Sequence, residues 1–169
     1  MVDSPVLLFA YGNVSRGDDA LAPLLLETLQ QQGWTQACSH PILFLSDYQI
    51  QIEHALDLRG CERILLIDAD QSLQSAYSFY PLSARQETSY TTHGITPSTL
   101  LHIYHQLFNE APPPTTMLAI QGSRFELGQD LSEQARNNLQ QALRLVSNIF
   151  SAADFSLWDS EISSAIKRS

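Results

Sequence analysis

Short apolar runs alternate along this chain with longer stretches whose apolar residues recur at helical spacing. Val6 to Ala10 is such a run, ends in the turn signal Tyr11-Gly12-Asn13, and predicts a buried strand. Gly17-Asp18-Asp19 opens a helix carrying Leu21, Leu24, Leu25 and Leu29, with Pro23 confined to its first turn and Gly33 as its stop. Ile42 to Leu45 predicts a second strand. Ile50 to Leu58 predicts a helix that turns Ile52, Leu56 and Ala55 inward and ends at Gly60. Arg63 to Ala69 is continuously apolar through Ile64-Leu65-Leu66-Ile67, so both of its faces are covered, as in a parallel sheet. Tyr77 to Leu82 reads as a weaker strand at an edge, and Ala84 to Gly94 as a polar loop. Thr96 and Pro97 suit the cap and first position of a helix whose inward stripe is Leu100, Ile103, Tyr104 and Leu107. Pro112-Pro113-Pro114 precedes a strand over Thr116 to Ile120. Ser132 caps a last long helix with Leu139, Ala142, Leu143, Val146 and Ile149 or Phe150 inside. The tail after Ser151 is polar with scattered aromatics and either docks or frays.

Strands alternating with helices predict an α/β protein with a mainly parallel, twisted sheet of about five strands. A length of 169 residues, with no repeat, linker or low-complexity segment, fits one domain over 1–169, with a core of about 6–150 and a tail of 151–169. The net charge is −9, and the single lysine, Lys167, sits near the end, so no basic stripe exists to meet nucleic acid or an anionic membrane. The acid excess favours a cationic ligand, a metal ion or a basic partner segment. Cys38 and Cys61 are too few for a disulfide framework and suit small apolar fillers in a reduced, cytoplasmic setting. The opening Met1-Val-Asp-Ser-Pro lacks the basic and long apolar regions of a signal peptide, and no apolar run approaches the roughly 20 residues of a membrane span. Nothing requires more than a monomer.

In open α/β sheets, ligands bind beyond the carboxyl ends of the strands, so residues that follow strands are the candidates for chemistry. The loop Gly12-Asn13-Val14-Ser15-Arg16-Gly17-Asp18-Asp19 is neither Gly-x-Gly-x-x-Gly nor a P-loop, and its two carboxylates would repel phosphate. A helix N-terminus stabilises an ionised carboxylate, which is then a ready metal ligand. For Asp18 the cap reading is favoured; for Asp19, spacing leaves a first-turn acid and a metal ligand equally open. Asp68 ends an apolar strand, where a carboxylate must be paired, bound to a metal, or accepting backbone amides. Asp70 reads as solvated, and His93 stands in a loop leading to a helix start. His102 and His105 fall between inward positions and read as a solvated face. His40 and His54 have no identifiable partners. The absence of Gly-x-Ser-x-Gly argues against an ordinary serine hydrolase.

Phe9-Ala-Tyr-Gly12-Asn13-Val-Ser-Arg16-Gly17-Asp18-Asp19-Ala-Leu-Ala-Pro23 resembles the opening signature of the hydrogenase maturation proteases. Ile67-Asp68-Ala69-Asp70 resembles their second motif, and Thr92-His93-Gly94 resembles their Ser-Pro-His segment. Ala119-Ile-Gln-Gly122-Ser-Arg-Phe-Glu126-Leu-Gly128 with Leu131-Ser132 resembles their closing strand and last helix start. The likeness runs from about Val6 to Val146. It departs where many members read Gly-Gly-Thr after the second strand, here Asp47-Tyr48-Gln49-Ile50, and where Ala20 and Ala22 replace frequent glycines.

The resemblance implies a three-layer α/β/α sandwich. It implies an endopeptidase that trims the C-terminal extension from a nickel-iron hydrogenase large-subunit precursor once nickel is inserted. It implies nickel ligands at Asp19, Asp68 and His93, the ion arriving with the precursor and no organic cofactor being used. Asp68 or Asp19 would then serve as general base, or the metal would polarise the carbonyl. Two other readings stand beside it: a non-catalytic chaperone that uses the same three ligands to check the metal of the large subunit, and an unrelated metal-dependent hydrolase of small molecules on the same kind of sheet.

Overall fold

A computed structural model describes residues 3–33, 39–86 and 94–166. Five strands form one sheet: β1 (Val6–Tyr11), β2 (Ile42–Asp47), β3 (Arg63–Asp70), β4 (Tyr77–Leu82) and β5 (Thr115–Gln121), in the order β2-β1-β3-β5-β4. β1 pairs in parallel with β2 and β3, and β3 with β5; β4 alone is antiparallel, at the edge. Four α-helices cover it: α1 (Leu21–Gln32), α2 (Pro97–Phe108), α3 (Glu133–Ile149) and α4 (Ser156–Ile166). This is the expected three-layer α/β/α arrangement.

Side-chain alternation sorts the core into two halves. Val6, Leu8 and Ala10 of β1 join Leu65 and Ile67 of β3 and Leu118 and Ile120 of β5 beneath α1, α3 and α4. Leu7, Phe9 and Tyr11, with Ile64, Leu66, Met117 and Ala119, face α2 and the short 3-10 turn Ile52–Ala55. β1 and β5 are buried over nearly all of their length and β3 over Ile64–Ile67, which is why these stretches are apolar without alternation. The register Ala10 with Ile67, continued by one residue, sets Tyr11 beside Asp68 on the α2 face.

Local signals behave as their chemistry requires at most ends. Thr96 caps α2 by accepting the Thr99 amide at 3.2 Å, and Ser132 caps α3 by accepting the Ala135 amide at 3.1 Å. Three expectations are corrected. Ile50 to Leu58 forms only the 3-10 turn Ile52–Ala55 and following turns; Ile50, Ala55 and Leu58 are buried, while Ile52 and Leu56 are exposed. Ala55 and Leu58 are three residues apart, the repeat of the tighter helix, and the α-helical spacing misplaces the inward face. In α2, Leu101 takes an inward place and Leu107 lies exposed in the last turn. The tail docks: α4 packs on β4 and α3, and Trp158 is completely buried, donating its indole N–H to Thr116 Oγ1 at 2.9 Å. Arg63 fixes α4 further through a paired contact with Asp159 at 2.6 and 3.2 Å and by lying over Phe155. The core therefore extends past residue 150. Among the described residues no helix is long and apolar enough to cross a membrane.

Candidate active site

β1 and β3 are the central neighbours at which the chain changes direction across the sheet, and the crevice beyond their carboxyl ends is where such sheets bind ligands. Tyr11-Gly12-Asn13 leaves β1 there, and Asp68 ends the apolar part of β3. The chain then folds back through a 3-10 turn, Gly17–Ala20, which packs against β3.

Gly12 makes that return possible. Its φ is +151°, and a Cβ there would sit 2.2 Å from the Asp19 carbonyl oxygen. Only hydrogen at this position lets the backbone of Asp19 press onto the end of β1. The Asn13 amide then donates to Asp19 Oδ2 at 2.9 Å. Gly17, at φ +54°, allows the same close approach to the Arg124 carbonyl, where a Cβ would stand 2.4 Å away.

Asp68 accepts the Ala69 amide at Oδ1, 2.8 Å. Burial, with the Asp19 charge adding to it against the Ala69 hydrogen bond, pushes its carboxyl up to about 7. The structure therefore brings Asp19 and Asp68, far apart in the chain, close enough to repel. One oxygen of each is held by a backbone amide, and the neighbouring Tyr11 hydroxyl also favours the ionised form of Asp68. His93 lies outside the described residues, so the triad is placed here as a pair. No cluster of three metal-ligating side chains occurs among the described residues.

Asp18 has a different task from the expected cap. It is fully buried and reaches across to the β5–α3 connection, accepting from the amides of Ser123 (2.8 Å), Arg124 (3.0 Å) and Ser132 (2.7 Å) and from the Ser132 hydroxyl (2.8 Å). Burial opposes its ionisation, but these hydrogen bonds outweigh it and hold the carboxyl below its ordinary value. Asp18 thus locks the turn that presents Asp19. Asp70 is turned to local use, accepting the amide and hydroxyl of Ser72.

Residues missed as candidates complete the crevice. Asp47 ends β2 level with Tyr11. Its carboxylate accepts the Tyr48 amide at 2.6 Å and meets His54 Nε2 at 3.2 Å. His54 is buried edge-on against Phe9 and takes the Gln51 amide at Nδ1, so its Nε2–H is the donor toward Asp47. The strand-end rule that singled out Asp68 applies equally to Asp47, but His54 lies in the turn whose facing was misjudged. Asp47 lines a cleft of about 260 Å³ with Gly12, Val14, Pro23, Ser46 and Tyr48. A larger groove of about 490 Å³ runs between β4 and α4 and contains neither Asp19 nor Asp68. His40 also has partners, stacking on Phe155 and bonding the Ser4 carbonyl through Nδ1. His105 is exposed, as expected. His102 is only half-exposed, and its Nε2 is buried without a hydrogen bond among the described residues. Cys61 is a half-buried free thiol, raised by burial; Cys38 lies outside the described residues.

No family model matches the chain, and no curated protein matches its sequence. Solved structures do match its fold. A NiFe hydrogenase maturation protease HycI from Thermococcus kodakarensis KOD1 superposes with a TM-score of 0.66 at 14% identity, covering 87% of this chain and 92% of that one. The hydrogenase maturating endopeptidase HybD from E. coli gives 0.61 at 18% identity, over 84% and 89%. An endopeptidase from Escherichia coli gives 0.66 at 16% identity, over 89% and 95%. Over 84–87% of its length, the chain has the α/β fold of these two hydrogenase maturation proteases.

Proposed function

We propose that this protein is a hydrogenase maturation endopeptidase, which removes the C-terminal extension of a nickel-iron hydrogenase large-subunit precursor after nickel insertion. The observation that carries the reading is the convergence of Asp19 and Asp68 at the carboxyl edge of a sheet whose fold is that of such enzymes. The motifs that resemble the family supply both residues, in order. The nickel is part of the substrate: it is held by the precursor's own thiolates, and Asp19, Asp68 and His93 would complete its coordination. Carboxylate and imidazole donors suit that ion. A precursor without nickel offers nothing for the carboxylates to share, so it docks poorly.

Cleavage needs a water activated beside the scissile bond. Of the two carboxylates, Asp68, whose proton affinity burial raises in the metal-free site, would be the general base, taking a proton from water and returning it to the leaving amine. Asp19 would orient the ion. The fixed backbone bonds to both carboxylates reduce the reorganisation needed on docking.

The test incubates purified precursor, with and without nickel, with wild type and with Asp19→Ala, Asp68→Ala and His93→Ala, and follows loss of mass. The reading expects cleavage only of the nickel-loaded precursor and only by wild type. Unchanged cleavage by all three variants would remove the site, and normal cleavage of nickel-free precursor would remove nickel recognition. Binding without any cleavage would favour the metal-checking chaperone.

A further inference from the structure

We infer that the outer edge of β2 is a docking site for the precursor's C-terminal extension, which adds there as a further strand and seats an apolar side chain in the cleft at the strand's end. This rests on the proteolytic reading above and names how the substrate polypeptide is held, which the carboxylates do not supply. β2 lies at an edge of the sheet and pairs only with β1 among the described residues. The Val6 amide donates to the Pro41 carbonyl at 2.8 Å and the Gly12 amide to the Asp47 carbonyl at 3.0 Å, so Pro41 and Asp47 turn their carbonyls toward β1. Alternation turns the backbone groups of Leu43 and Leu45 the same way, and those of Ile42, Phe44 and Ser46 outward. The outward N–H and C=O groups of these last residues have no hydrogen-bond partner among the described residues. An apolar edge of this kind is a template for pairing, and proteins blunt it with proline, lysine or a covering element. β4, at the other edge, carries Pro81 and packs against α4. β2 reads Ile-Leu-Phe-Leu-Ser-Asp, without proline or a charge before its last residue, and Leu43 is exposed. An edge kept open in this way needs an occupant.

The position of the edge selects the occupant. Ser46 and Asp47, the last residues of β2, line the cleft of about 260 Å³ together with Gly12, Val14, Pro23 and Tyr48. Gly12 is the residue against which Asp19 presses, so a chain laid along β2 runs on toward the Asp19 carboxylate. The cleft is smaller than the roughly 300–1,000 Å³ of sites that enclose a free small molecule, and suits one side chain of a polypeptide. Val14 and Tyr48, both largely exposed, and Pro23 give it apolar walls. Its carboxylate, Asp47, is already engaged by the Tyr48 amide and by His54, so the side chain that fits is apolar rather than cationic. Backbone pairing supplies affinity with little regard to sequence, and the cleft adds selectivity at one position. A second copy of this chain is the poorer occupant, because two edges of a protein with net charge −9 would meet under mutual repulsion.

The experiment has two arms. Ser46→Pro removes an outward N–H without touching a bond to β1, and its ring obstructs a strand laid alongside. On nickel-loaded precursor its KM rises by about tenfold or more, from a lost hydrogen bond and a clash, while kcat stays within about threefold of wild type. In the second arm, NMR follows amide exchange of wild type, free and with a synthetic peptide of the extension's sequence at millimolar concentration. The Ile42, Phe44 and Ser46 amides exchange readily in the free protein and slow by about tenfold or more with peptide, while those of Leu43 and Leu45, bonded to β1, change little. Exchange at the three outward amides that the peptide leaves unaltered overturns the assignment, whether or not Ser46→Pro folds. A KM within about twofold of wild type in folded Ser46→Pro overturns it as well. Protection of the same amides that grows with protein concentration in the absence of peptide puts a second copy on the edge, and also overturns it. In each of these cases cleavage by wild type leaves the proteolytic reading standing. Wild type that leaves the nickel-loaded precursor whole overturns that reading, and this assignment with it.

Discussion

Replacing Asp68 by asparagine removes a charge from the site while keeping the shape of the side chain and an acceptor for the Ala69 amide. The folded protein raises this carboxyl from 3.8 to about 7, mainly by burial. In the unfolded chain the group returns to its ordinary value, so between those two pH values the native state holds a proton that the unfolded state has released. Stability contributed by the protonated group is complete below pH 3.8 and is lost as pH rises through about 7. At about 1.4 kcal/mol for each pKa unit, the loss amounts to about 4 kcal/mol. The neutral amide of the variant resembles the protonated carboxyl at every pH. The difference in unfolding free energy between Asp68→Asn and wild type therefore starts near a constant at acid pH and grows by about 4 kcal/mol in favour of the variant by about pH 8. Urea unfolding of metal-free protein, followed by circular dichroism in the presence of a chelator, measures it at each pH. A difference that stays flat within about 1 kcal/mol over this range would refute the argument, because Asp68 would then be neither desolvated nor opposed by Asp19.

Other perturbations test the supports of the site. Asp18→Ala leaves the Ser123, Arg124 and Ser132 donors facing a cavity, and thermal unfolding should show a loss of about 3 kcal/mol or more. Gly12→Ala drives a Cβ into the Asp19 carbonyl, so Asp19 is displaced and cleavage of the precursor should fall by about 100-fold or more in protein that circular dichroism shows to be folded. Trp158→Ala should destabilise by about 3–5 kcal/mol in denaturant unfolding, whereas a frayed tail would tolerate it with no measurable change.

Strands buried on both faces and capped helices were legible because their signals are local. Ile64-Leu65-Leu66-Ile67, Thr96-Pro97 and Ser132 each declare their structure within a few residues. The short turn Ile52–Ala55 was misjudged because 3-10 and α spacing diverge within a single turn, and with it His54 lost its visible partner Asp47. Trp158 sits in a stretch too polar to announce a docked helix, and its burial depends on contacts with Thr116 and Arg63 that only tertiary structure provides. In the site, strand ends pointed to Asp68, and the helix entrance to Asp19. The division of labour between Asp18 and Asp19 was not legible, since it turns on which carboxylate meets a loop more than a hundred residues away. Tyr11 was read as part of a turn. Its place follows from one more residue of alternation after Leu7 and Phe9, which puts it on the face of Asp68.

The most direct measurement is an anomalous-difference map from crystals of this protein soaked in cadmium, a surrogate for nickel. One peak within about 3 Å of a carboxylate oxygen from both Asp19 and Asp68, with the His93 imidazole as the third protein ligand, is the predicted result. Cadmium bound only elsewhere on the acidic surface, with the space between Asp19 and Asp68 empty, would contradict the account.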